Sequence, residues 1–194
     1  MPVVKSSQRK LILIAFGCLV LISLQYFPEV LQFDRKRIFA GEIWRIWTGH
    51  LTHFNQSHFI LNVIAAIALY FLVLGTFKPI ELLAQGAIFS VLISLIFLLF
   101  IPRLDWYVGA SGLLHSMTAY CAMERALSSN HKYWILFLLL WLKIAVELNF
   151  ETSWLSGMLV IKEAHLIGAI IGSVGLLLLR ATNYVKSQVA ISDE

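Results

Sequence analysis

Two polar residues stand where a bilayer would penalise them. Ser111 lies between glycines in "GASGLLHS", residues 109–116, and His165 opens the last apolar run in "EAHLIGAIIG", residues 163–172. Burying such groups in a membrane is costly, so each is a functional candidate by default. A serine hydroxyl is a weak nucleophile until a base takes its proton, and neutral imidazole has the ordinary pKa for that task near pH 7. The pair points to nucleophilic acyl transfer. A third set, "THFNQSHFILN", residues 52–62, puts His58 and Asn62 four apart on one helix face. These side chains, with the unpaired backbone N–H of Ser111 at a helix start, are candidate donors to the oxyanion of a tetrahedral intermediate.

Each piece has a plainer reading when taken singly. Ser111 is a suitable helix N-cap. His58 and Asn62 suit a membrane interface and an interhelical hydrogen bond, and a lone histidine such as His165 is more often structural. A cap, however, needs no glycine on both sides, and Gly109 and Gly112 suggest close approach of another backbone or a ligand. Gly168 and Gly172 share a face with His165 and let a neighbouring helix pack tightly. His115, four residues after Ser111, either acts as a rival base or stacks on His165. The glycine face favours stacking, which leaves His165 as the base. Lys143 and Glu147, also four apart, read as a self-satisfied ion pair. No aspartate is available to orient His165, and Glu163 faces elsewhere on its helix, so a Ser–His dyad is expected. The histidines form no H-E-x-x-H motif, and a haem reading is weaker still. Neither a metal nor another cofactor is expected.

The elements that must position these residues follow from composition. Of 194 residues, 59% are hydrophobic and 13% charged, with a mean hydropathy of +0.81. Soluble domains carry about 25% charged residues, so the chain reads as an all-α integral membrane protein. Its net charge of +4 suits the orientation of span ends better than nucleic acid. Cys18 and Cys121 lie in apolar runs and read as small buried hydrophobes, not as a disulfide framework. Six apolar segments occupy roughly 11–27, 58–75, 79–101, 111–127, 133–149 and 164–182, within a single domain over 1–194. The first segment follows Lys5, Arg9 and Lys10 and lacks a small-residue cleavage site, so it reads as an uncleaved span. Lys78, Arg125, Lys132, Arg180 and Lys186 favour cytoplasmic N- and C-termini, although the "DRKR" run at residues 34–37 opposes that bias.

In this topology spans two, four and six run parallel. At 1.5 Å per residue, Ser111 stands about 21 Å from Arg125, His165 about 22 Å from Arg180, and Asn62 about 24 Å from Lys78. With those cations at the inner interface, all three polar sites share one depth, below the outer surface of a hydrocarbon core about 30 Å thick.

"GASG" before a helix, "H-x4-H-x3-N" on an earlier span, "AHLIGAIIG" on the last, and "GEIWR" at residues 41–45 together resemble the rhomboid intramembrane serine proteases. The resemblance extends over residues 41–172. It implies a six-transmembrane-helix bundle, Ser111 as nucleophile, His165 as base, and His58 with Asn62 in the oxyanion site. It also implies a water-filled cavity opening outward, capped by about residues 150–162 with Trp154 and Met158 as apolar plugs. Rhomboids usually carry an aromatic ring four residues after the serine, where this chain has His115. "GEIWRIWTGHLTHFNQSHFILN" and "GASGLLH" look most like the rhombosortase branch. That branch implies a bacterial inner-membrane enzyme opening to the periplasm. Its substrates would be exported proteins held by a single-pass C-terminal tail with a glycine-rich motif. The alternatives are a generic rhomboid with other single-pass substrates and a non-catalytic relative that binds transmembrane helices.

Overall fold

The computed structural model describes residues 17–150 and 161–192. The expected cap plugs Trp154 and Met158, and the basic residues Lys5, Arg9 and Lys10, lie outside the described residues. The fold is mainly helical. Residues 17–24 are helical, and the long helices that follow are α1 (Gln56–Leu72), α2 (Pro79–Phe100), α3 (Ser111–Ser128), α4 (Tyr133–Asn149) and α5 (Lys162–Ser192). Among the described residues, α2 and α5 are long and apolar enough to cross a membrane, and α1 is a shorter apolar helix. α5 continues well past the expected end near residue 182. Its 31 residues make about 46 Å of helix, longer than the hydrocarbon core is thick. Large side chains stand bare on the outer faces, Phe71 80% and Phe100 74% exposed. A surface so apolar suits lipid rather than water. Of the two cysteines, Cys121 is buried as expected, whereas Cys18 is exposed on its helical stretch.

α3 is the central helix. It buries an unbroken run from His115 to Ala122, as only a helix packed on every side can. The polar members of that run are satisfied locally: Ser116 Oγ donates to the Leu113 carbonyl and Thr118 Oγ1 to the Leu114 carbonyl, both at 2.7 Å. Small residues bring α5 against it. An added Cβ at Gly168 would lie 2.1 Å from the Gly112 carbonyl oxygen, and one at Gly172 would lie 2.1 Å from that of Ser116. Further along, Arg180 Nε donates to Glu124 Oε2 at 2.9 Å. All three pairings keep the same sequence offset of 56, so α3 and α5 run parallel and in register.

The segment before α1 is held by buried and half-buried polar anchors. Phe33–Asp34 (β1) pairs antiparallel with Trp106–Tyr107 (β2), Phe33 opposite Tyr107. Arg35, just after β1, donates to the carbonyls of Phe97, Leu98 and Ile101 and, through Nε, to that of Leu104. Phe97, Leu98 and Ile101 lie at the C-terminal end of α2, where carbonyls run out of helical donors, and Leu104 is in the loop that follows. In the "GEIWR" segment, the fully buried Arg45 donates from Nε to Glu42 Oε2 at 2.7 Å and from Nη1 to the Gln32 carbonyl at 2.8 Å. That motif is a structural clamp, remote in role from any proton transfer.

Candidate functional site

A cavity of about 1090 Å³ opens among α1, α3, α4 and α5, and Ser111, His165, His58, Asn62 and His115 all line it. Ser111 is the first residue of α3, and Ala110 is the cap. The turn before it is made by Gly109 at φ +121°, a conformation that L side chains rarely adopt. A Cβ there would lie 2.6 Å from His58 Cε1, so only glycine lets the His58 ring lie against the turn. Gly112 meets the Ala164 carbonyl, next to His165, at 3.0 Å from its would-be Cβ. The two glycines thus set the distances from the serine's turn to α1 and to α5. Because α3 begins at Ser111, its first N–H groups lack acceptors within the helix.

The loop before α3 holds this turn in place. Tyr107 is buried, and its hydroxyl donates to the Gly109 carbonyl at 2.7 Å. Burial pushes its phenol up to about 12, against the opposing effect of hydrogen bonds with the Gly112 backbone and the Ser111 side chain. It is therefore a neutral donor at any working pH. His53 accepts at Nε2 from the Ala110 N–H at 3.4 Å, with its Nδ1 3.1 Å from Gln25 Oε1. Burial, and secondarily the neighbouring His58, hold His53 down to about 4, which keeps it neutral and able to accept. Asn62 donates from Nδ2 to the carbonyl of His58 in its own helix at 3.0 Å. In this arrangement its amide faces the cavity while bonded locally.

His115 stacks on His165, with ring centroids 4.2 Å apart and planes 10° from parallel. Its Nδ1 is 2.6 Å from the Ser111 carbonyl oxygen and its Nε2 is 2.8 Å from Lys143 Nζ. A carbonyl only accepts and an ammonium only donates. Nδ1 therefore carries the proton and the Nε2 lone pair is occupied, so His115 is not free to act as a base.

The sequence reading left His165 without a carboxylate and paired Lys143 with Glu147 alone. The structure corrects both points. Lys143 and Glu147 do form an ion pair at 2.9 Å through Oε1, but Glu147 Oε2 also accepts from His165 Nδ1 at 2.9 Å. Glu163, as expected, turns away, and it pairs with Arg103. The signal for this was present in the sequence: a glutamate inside an apolar span is a candidate in its own right. Its partner was not visible, because it lies on another helix. His115, Glu147 and His165 also bring three metal-ligand atoms within 4.8 Å of one another. The Lys143 ammonium, 2.8 Å from His115 Nε2, 2.9 Å from Glu147 and 3.4 Å from His165 Nδ1, supplies a cation to that cluster from the chain itself.

A family model described as the rhomboid domain matches residues 40–182. No curated protein matches the chain.

Proposed function

Because the chain belongs to the rhomboid family, whose members are in general serine proteases acting on membrane proteins within the bilayer, we propose that it is an active intramembrane protease with Ser111 as nucleophile and His165 as base. The observation that carries this reading is the facing of Ser111 and His165 into one cavity from two parallel helices locked by glycine contacts. His165 takes the Ser111 proton as Oγ attacks the scissile carbonyl. The resulting oxyanion is met by the Ser111 N–H, His58 and Asn62. His165 then returns the proton to the leaving amine, and the acyl-enzyme is hydrolysed by a water that His165 deprotonates in turn.

The substrate reading follows the rhombosortase resemblance: exported proteins held by a single-pass, glycine-rich C-terminal tail. Supporting it, the cavity reaches between α1, at Ala65 and Ala68, and α4, at Leu136 and Leu139. Such an apolar, small-residue slot suits entry of a helix from lipid. A tail must unwind before it is cut, and each glycine weakens a helix by roughly 1 kcal/mol relative to alanine. The rest of the reading is a six-span bundle over 1–194 in a bacterial inner membrane, with cytoplasmic termini and a periplasmic opening. The test is co-expression of a tailed substrate with wild type and with Ser111→Ala, reading loss of the tail by mass. Tail loss only with wild type supports the protease. Equal tail retention with both, together with no fluorophosphonate labelling in lipid, supports a non-catalytic helix-binding protein instead.

A further inference from the structure

The inward face of α4 carries charge that a self-contained ion pair does not explain. Glu147 divides its two oxygens, Oε1 to Lys143 and Oε2 to His165 Nδ1, each at 2.9 Å. Lys143 in turn reaches His115 Nε2 at 2.8 Å, and His115 closes the ring by stacking on His165. The side chains of His165 and Glu147 are only 7% and 13% exposed, so water does not compete freely for the bond between them, whereas Lys143 is half-exposed. Two groups approach His165 Nδ1, the Glu147 carboxylate at 2.9 Å and the Lys143 ammonium at 3.4 Å, and the shorter contact, to the carboxylate, sets the direction. The carboxylate can only accept, so His165 carries its proton on Nδ1 and keeps a lone pair on Nε2, the tautomer a general base requires. A positive imidazolium formed when His165 takes the Ser111 proton would have the carboxylate at hydrogen-bond distance. Lys143 holds the other carboxylate oxygen and so fixes the plane in which Oε2 is offered.

We propose that Glu147 is the positioning residue of a Ser111–His165–Glu147 relay supplied across helices, with Lys143 as its clamp. This goes beyond the two-residue site of the preceding reading and rests on it. The test uses the full chain in lipid, with a tailed substrate, comparing wild type with Ser111→Ala, Glu147→Gln, Glu147→Ala and Lys143→Met. Glu147→Gln keeps the shape but lets the wrong tautomer form. It is expected to lower kcat about 100-fold or more, with KM within about twofold, the same melting temperature, and equally slowed fluorophosphonate labelling. Added formate is expected to recover part of the lost kcat in Glu147→Ala and none in Ser111→Ala. Lys143→Met is expected to lower kcat about tenfold. Glu147→Gln activity within about threefold of wild type, or losses in which KM and melting temperature move together and formate recovers nothing, would overturn the relay. Cleavage by Ser111→Ala would overturn the protease reading itself, and with it the relay.

Discussion

The ring of His115 lies flat on that of His165, 4.2 Å from centroid to centroid, and both of its nitrogens are committed, to the Ser111 carbonyl and to Lys143. Its place in the site is that of a support. Replacing it removes a stacking surface and the Lys143 contact but leaves His165, the proposed base, in place. His115→Ala is expected to reduce cleavage about tenfold, in line with the 0.5–1.5 kcal/mol typical of such ring pairs, whereas His165→Ala abolishes it. Steady-state cleavage of a fluorogenic single-pass substrate separates the two, and residual activity in His165→Ala with none in His115→Ala would reverse the assignment.

The α3–α5 contact has no room for a methyl group. At Gly168 an added Cβ would meet a backbone oxygen of Gly112 at 2.1 Å, and backbone cannot swing aside as a side chain can. Gly168→Ala is expected to lose about 1–3 kcal/mol of stability or more and to misplace His165 relative to Ser111. Gly175→Ala, whose nearest neighbour would be a ring carbon of Phe89 at 3.6 Å, is expected to keep both stability and activity. Thermal melting in detergent and labelling of Ser111 by a fluorophosphonate report the difference. Equal melting of the two variants would contradict the packing described for Gly168.

The segment before α1 contributes acid sensitivity of its own. His50 is buried, 3.1 Å from Ser94 Oγ, and Ser94 in turn donates to the Ile46 carbonyl at 2.8 Å. Burial lowers the pKa of His50 from 6.5 to about 4, and His53 is lowered to about 4 as well. Between those values the unfolded chain binds protons that the folded chain does not. The stability tied to the neutral rings is therefore complete above pH 6.5 and is lost as the pH falls towards 4. Melting temperatures taken from about pH 7.5 down to 4.5 are expected to fall, and His50→Asn is expected to be less stable at pH 7.5 but to show a shallower slope. Parallel slopes for wild type and variant would show that His50 is not the group responsible.

Substrate choice gives a prediction independent of the catalytic residues. Leucines in place of the tail's glycines strengthen the substrate helix by roughly 1 kcal/mol each and are expected to block cleavage while membrane insertion of the tail persists. Mass analysis of the co-expressed substrate reads this directly. Undiminished cleavage of the leucine tail would remove the glycine-rich specificity and leave a protease of other single-pass proteins.

The sequence by itself determined the features that repeat along one helix or mark one turn. Apolar runs defined α1 to α5 within a few residues, except for the extension of α5 to Ser192. The spacing of His165, Gly168 and Gly172 identified the face that packs on α3, because helical periodicity places those residues together whatever else the chain does. "GASG" marked a place of close approach before α3, while the positive φ at Gly109 came from the structure. Only the tertiary structure decided what crosses between helices. Glu147 is two residues short of the end of α4, and nothing in its local pattern says that it points to a histidine on α5 rather than closing on Lys143. The partners of Arg35, His50 and His53 likewise come only when the chain folds back and brings the α2 carbonyls, Ser94 and Ala110 to them. The register between α3 and α5 is set by backbone contacts at Gly168 and Gly172, and that register, not any single motif, brings His115 to His165, while the packing of α4 brings Glu147.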